Sequence, residues 1–164
     1  YLAEAGLVIG LDLPPTLYAD MAGSVMASEA VLQALLRRAA SGRGVRIEVT
    51  LSGAAHYLAL PHSWGLTQRN GTVGGAHAGY RVYACADGRV AVAALEPHFA
   101  QRLCQAVGVP GADTPQAALA LMFRSATHHA VAEYFAGQTR AELDRLAAGQ
   151  DIPLHTLAPE EGSE

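Results

Sequence analysis

The sequence contains no lysine; all 11 of its basic residues are arginine. An arginine-biased coding sequence accounts for this, and no function is read from it. Charge is scarce as well, with 16% charged residues against 51% hydrophobic ones. Such a balance supplies ample material for a core but is low in charge for a free-standing domain. A face covered by another subunit or by further chain is therefore expected. The net charge is −4 and the arginines are scattered, which argues against a nucleic-acid or anionic-membrane surface. Only two cysteines occur, Cys85 and Cys104, without metal-ligand spacing, and they read as reduced thiols of a cytoplasmic protein. The sequence shows no apolar run long enough to span a bilayer and no signal-peptide pattern.

Several catalytic signatures are missing too. No two of the seven histidines have the i, i+4 spacing of a helical metal site. His128 and His129 are adjacent and point to different faces of a helix, and all seven histidines are expected at a surface or an interface. Gly42-Arg43-Gly44 and the glycine-rich stretch 71–79 are the only phosphate-like features, and neither matches a nucleotide-binding loop. There is no G-x-S-x-G elbow and no Ser/His/Asp set.

What the chain does contain is most concentrated in residues 18–53. Asp20 is predicted to cap a helix that runs to about Ala40, with Val25, Met26, Leu32, Leu35 and Leu36 on its apolar face. Arg37 and Arg38 suit the last turn, and Ser41-Gly42 ends the helix. Val45, Ile47, Val49 and Leu51 then alternate with Arg46, Glu48 and Thr50, which predicts the clearest strand of the chain. Upstream, residues 1–10 read as helix end or strand, broken by a Pro14-Pro15 turn. Downstream, a helix from Gly53 is expected to stop at Pro61, and Thr67–Gly79 reads as a linker or ligand-facing loop. A hairpin follows, Tyr80–Cys85 and Arg89–Ala94 around Asp87-Gly88. Helices are predicted from Glu96-Pro97, from Thr114-Pro115 to about Gly137, and from Thr139 to about Ala148, the last opened by a Thr139/Glu142 capping box. Asp151–Leu154 suits a final strand.

Two acids stand out. Asp20 is most simply a helix cap; its functional reading is a carboxylate at the positive end of a helix dipole, serving as base or nucleophile. Gly23 and Ser24, small neighbours, would let a thioester or carboxylate approach backbone amides that stabilise a developing oxyanion. Glu96 stands at a strand-to-helix corner, where acids ordinarily support the helix.

Taken in order, these segments resemble the class III CoA-transferase family, also called the carnitine dehydratase/bile-acid-inducible protein F family, which includes the α-methylacyl-CoA racemases. Ala19–Ser24 is similar to the family's Ala-Asp-x-x-Gly-Gly, with Ser24 where the family keeps a second glycine. Ser41–Gly44 and the strand after it are similar to its Thr-Gly-Lys/Arg-Gly-Gln segment. Gly74–Ala76 with Tyr80–Gly88 resembles the start of its small domain, and Ala94–Phe99 and Phe135–Leu143 complete the run.

The resemblance implies an α/β fold: residues 1–60 as the trailing part of a Rossmann-like large, CoA-binding domain, 61–75 as a linker, and 76–148 as a small α+β domain. Residues 149–164 would be a tail returning toward the large domain. Because the chain begins at Tyr1, inside an ordered-looking segment, it is expected to be a piece of something longer. The resemblance makes Asp20 catalytic. In the transferases this acid carries the acyl group and then CoA through covalent intermediates. In the racemases it exchanges the proton beside the thioester carbonyl together with a histidine. That histidine lies in a Gly-His-Asp segment whose closing tyrosine matches Tyr1, and Glu96 matches the glutamate that supports it. The implied substrate is an acyl-CoA, with no metal, and the implied assembly is an interlocked homodimer. Tyr1–Ala3 and Glu96-Pro97 tip the reading slightly toward racemase-type chemistry on a 2-methylacyl-CoA. The alternatives are CoA transfer to a carboxylic acid through an aspartyl intermediate, and a non-catalytic truncated fragment.

Overall fold

The computed structural model describes Leu2, Ala5 and Thr16–Pro159. The expectations for Tyr1, for the Pro14-Pro15 turn and for the end of the tail lie outside the described residues. The chain divides into two compact units, Tyr1–Leu66 and Thr67–Glu164.

In the first unit, helix α1 (Tyr18–Ser41) is followed by α2 (Leu51–Leu58) and the single turn α3 (Leu60–Ser63). α1 ends as its sequence predicts. Gly42 adopts the left-handed conformation (φ 71°) and its N–H donates to Arg38 O, a conformation open to glycine at little cost. The start differs from expectation: Leu17 holds the N-cap position without a side-chain cap bond, and Asp20 lies inside the first turn. α1 packs on α2 through small residues. Ala19 and Gly23 are buried, and a Cβ on Gly23 would stand 2.9 Å from Leu51 Cδ2. Thr50 caps α2 by accepting the Gly53 N–H at 3.0 Å. Pro61, expected to stop a helix, instead opens α3, where its missing N–H costs nothing.

The strand expected over 45–51 does not form among the described residues. Arg43–Thr50 runs without helix, turn, bend or bridge. Alternation supplies two faces, but a strand also needs a neighbour to accept its backbone hydrogen bonds. No described segment provides one.

The second unit is built on a three-stranded antiparallel sheet of order β1-β2-β3: β1 (Tyr80–Cys85), β2 (Gly88–Ala93) and β3 (Leu154–Leu157). Cys85 pairs with Gly88, so Ala86 and Asp87 form the two-residue turn. Gly88 is required by proximity, since a Cβ there would lie 2.4 Å from Leu157 O of the neighbouring strand. Tyr83, Cys85, Val90 and Val92 alternate onto the buried face of the sheet. Against it pack α4 (Pro97–Val107), α5 (Pro115–Leu121), α6 (Ser125–Ala136) and α7 (Arg140–Gln150); Leu103, Cys104, Val131, Phe135 and Leu143 from these helices and Met122, just after α5, share one core with the sheet. Tyr83 and Phe135 meet edge to face at 5.5 Å, the geometry favoured by ring quadrupoles.

The long helix expected from Thr114 to Gly137 is broken. Arg124 is extended (φ −93°, ψ 137°) between α5 and α6. The reason is tertiary. Met122 is fully buried and its carbonyl accepts the Ala78 N–H at 2.8 Å, a bond that a continuing helix would have claimed for itself. The Thr139/Glu142 capping box is present in full: Glu142 N–H donates to Thr139 Oγ1, and Thr139 N–H donates to Glu142 Oε2 at 2.8 Å.

Candidate active site

Asp20 occupies the third helical position of α1 and is exposed. Its carboxylate makes no hydrogen bond or ion pair with any described residue. The helix ladder begins with Met21 N–H donating to Leu17 O at 2.9 Å, so the amides of Tyr18, Ala19 and Asp20 have no acceptor inside the helix. A negative group in this turn meets the positive end of the helix dipole. Gly23 and Ser24 lie one turn on. Their amides belong to the ladder, Gly23 is buried against α2, and the Ser24 hydroxyl donates to Asp20 O at 2.8 Å. Gly23 thus has a packing reason of its own. An apolar groove of about 520 Å³, lined by Tyr18, Met21, Val25, Tyr57 and Leu58 among others, runs along the same helix, and Asp20 is not part of its lining.

Glu96 belongs to the second unit, where it holds the N-cap position of α4 directly before Pro97. Its carbonyl accepts the Ala100 N–H at 2.9 Å. Its side chain is exposed and makes no cap bond. Any support Glu96 gives α4 therefore comes through the helix dipole and not through a side-chain hydrogen bond. Asp20 and Glu96 stand in different units.

The sequence pattern did not single out His77, which is fully buried rather than at a surface or interface. Its Nδ1 accepts the Gly79 N–H at 3.1 Å, which places the ring proton on Nε2. Nε2 is buried without a hydrogen-bond partner among the described residues, and the ring meets Phe123 edge to face at 5.1 Å. Burial, and then the neighbouring His128, lower the His77 pKa from its ordinary value. Around it the chain is clamped. His128 Nε2 lies 2.8 Å from Ala76 O, the Tyr83 hydroxyl donates to Ala78 O at 2.7 Å, and the Ala94 N–H donates to Gly79 O at 2.7 Å. The only sequence signal for this clamp was Gly79 itself, where a Cβ would stand 2.8 Å from Ala94 O.

Among the described residues no group of three His, Cys, Asp or Glu side chains could hold a metal ion, and no helix is long and apolar enough to cross a membrane. Each of the two units thus carries an acid whose side chain makes no cap bond at the start of a helix, Asp20 in the first turn of α1 and Glu96 at the N-cap of α4. Residues 13–161 match the model of CoA-transferase family III, and the chain belongs to that family, whose members act on CoA thioesters. No functionally curated protein matches it. Among solved structures it is similar to Rv3272 from Mycobacterium tuberculosis, at 20% identity and a TM-score of 0.70 over 99% of this chain and 46% of that one. A mutant of the same protein gives a TM-score of 0.73 at 19% identity, over 98% of this chain and 45% of that one. A CAIB/BAIF family protein from Brucella suis is similar at 20% identity and a TM-score of 0.56, over 92% of this chain and 42% of that one. These likenesses establish the fold. The chain spans less than half the length of each solved structure.

Proposed function

We propose that this chain carries the reactive carboxylate of an acyl-CoA enzyme, Asp20, and that the reaction is proton exchange at the α-carbon of a 2-methylacyl-CoA. The observation that supports it most is the state of Asp20. In a chain matching the family over residues 13–161, this acid is exposed, unengaged, and held in the first turn of a long helix. As base, the carboxylate takes the α-proton, and the electron pair left behind delocalises onto the thioester oxygen. Reprotonation of the same carbon from the opposite side inverts it. The enolate oxygen needs donors, and the first-turn amides of Tyr18–Asp20 are the ones α1 leaves uncommitted. In this reading Glu96 orients a partner histidine, Tyr1 closes the segment that holds it, and the complete site is shared between the large domain of one subunit and the small domain of another. Residues 1–60 then serve the large domain and 76–148 the small one.

A second reading, CoA transfer, is favoured by the family's own designation. It uses the same carboxylate as nucleophile, forming a mixed anhydride with the acyl group as CoA leaves. One experiment separates the readings: incubation of the protein, with whatever further chain its gene encodes, with a chiral 2-methylacyl-CoA in deuterated water. Deuterium at the α-carbon with loss of optical purity is expected. Acyl transfer to a free carboxylate without deuterium uptake would overturn the exchange reading, and full activity in a folded Asp20→Asn variant would remove Asp20 from either. A protein inert in both assays is the non-catalytic fragment.

A further inference from the structure

The sheet of the second unit buries one face against its helices and leaves the other open. On the open face the strands stand in register, and two successive rungs share one profile. Ala93 lies between Tyr80, its pairing partner on β1, and Pro153, whose carbonyl accepts the Ala93 N–H at 2.9 Å. Ala91 lies between Val82 and His155, its partners on β1 and β3. Each rung is low in the middle and high at both sides, so the alanines floor a trough that runs along β2. Its volume is about 520 Å³, within the range of small-molecule sites. Tyr80 and Val82 on its rim are 40% and 55% exposed. The floor ends at Arg89, which takes the alanines' place on the next rung, between Ala84 and Leu157. Arg81, at the trough's edge, holds its guanidinium 3.4 Å from His128 of α6, on the helix side of the sheet.

Width decides what such a trough can hold. Neighbouring strands are about 4.8 Å apart, so the rims on β1 and β3 are separated by roughly 10 Å. Carbon atoms touch at about 4 Å, which leaves room between the rims for one file of methylene groups. A helix, about 10–12 Å across with its side chains, does not enter. Direction supplies the second constraint. At the end away from Arg89 the chain passes from Ala93 through Ala94, whose N–H donates to Gly79 O at 2.7 Å, to the exposed Glu96. The trough thus opens toward the corner that carries the candidate acid of this unit. We propose that it binds the hydrocarbon chain of the acyl group of an acyl-CoA, laid along β2 with its thioester end toward Glu96. This assignment rests on the acyl-CoA reading above and adds to it a site for the acyl chain.

The test uses the protein, with whatever further chain its gene encodes, and the S-methyl, S-butyl, S-hexyl and S-octyl thioethers of CoA, which bind without reacting. Calorimetry is expected to show the dissociation constant falling roughly three- to fourfold per added methylene. Methyl resonances of Val82, Ala91 and Ala93 should shift with S-octyl-CoA and stay in place with S-methyl-CoA. Ala91→Phe raises the floor and should weaken S-octyl-CoA at least about tenfold while leaving S-methyl-CoA unchanged. The wild-type resonances keep the test decisive even if that variant fails to fold. The proposal is overturned if the octyl chain shifts Val25 and Leu58 of the α1–α2 groove instead, or if a folded Ala91→Phe variant keeps the full gain with chain length. It is also overturned if the trough methyls shift with protein concentration alone, the mark of a second copy on this face. Equal binding of all four thioethers would remove the trough and leave the acyl-CoA reading standing; binding of none would remove both. No arm requires turnover, so each result stands apart from the deuterium experiment.

Discussion

The His77 ring accepts the N–H of Gly79, two residues along the chain, at 3.1 Å and in full burial. This bond holds the segment that leads into β1, and it exists only while Nδ1 is unprotonated. The folded state keeps the imidazole below its ordinary value of 6.5 through burial and the nearby His128, whose own ring lies 3.4 Å from the Arg81 guanidinium. As the pH falls, the unfolded chain takes up this proton first, so stability is lost below about pH 6.5. Thermal unfolding of the wild-type chain between pH 7.5 and 5.5 is expected to show that slope. His77→Phe should flatten it and, by stranding the Gly79 N–H, cost ~1–3 kcal/mol at neutral pH. An unchanged slope in the variant would assign the acid sensitivity elsewhere.

The acidic end of the pH profile belongs to other groups. Asp87 accepts the Arg140 N–H at 2.7 Å, at the start of α7, and this bond holds its pKa below the ordinary 3.8. Glu142 is lowered in the same way by the Thr139 N–H. Both contributions are complete above the ordinary carboxylate range and fade as the pH drops through the lowered values. Asp87→Asn should therefore lower the melting temperature at pH 7, and the difference from wild type should shrink steadily below pH 3.8.

Two glycines are expected to respond in opposite directions. A Cβ on Gly74 would lie 1.8 Å from the Gln68 carbonyl oxygen, a backbone atom that cannot swing away. Gly74→Ala should destabilise the second unit by roughly 3 kcal/mol. Gly149 is exposed within α7 and meets nothing within 4 Å. Gly149→Ala should stabilise that helix by up to about 1 kcal/mol. Denaturant unfolding of the two variants beside the wild type checks both signs.

Cys104 is fully buried and burial raises its thiol pKa to about 11. At pH 8 it carries almost no thiolate, the form that reacts. Iodoacetamide should leave Cys104 unmodified in the folded chain and modify it after denaturation, read by mass spectrometry of the peptide. Rapid labelling of Cys104 in the native state would mean that α4 opens readily.

The candidate site was legible in the sequence to an uneven degree. Locally, Asp20 and Glu96 read as helix-supporting acids, and only the ordered run of motifs from Ala19 to Leu143 gave them a chemical meaning. The structure adds that neither carboxylate hydrogen-bonds the opening turn of its helix: Leu17, not Asp20, holds the N-cap of α1, and Glu96 makes no cap bond to α4. No local signal could reveal this. Whether a carboxylate bonds a nearby amide depends on side-chain geometry that composition does not encode. His77 was invisible for a related reason. A histidine in a glycine-rich stretch resembles a loop residue until Tyr83, Met122 and His128 arrive from distant parts of the chain.

By itself the sequence determined what neighbours settle among themselves. The Gly42 stop of α1, the Thr50, Thr114 and Thr139 caps and the β1–β2 hairpin are specified by contacts a few residues apart, where little loop entropy opposes closure. Tertiary structure alone decided the break at Met122, made so that its carbonyl could receive Ala78; the burial of His77; and the unpaired state of Gly44–Thr50. Each of these depends on which distant backbone group lies within hydrogen-bonding reach. A pattern of apolar and polar residues can prepare a strand or a helix, but only a partner in space completes the one or interrupts the other.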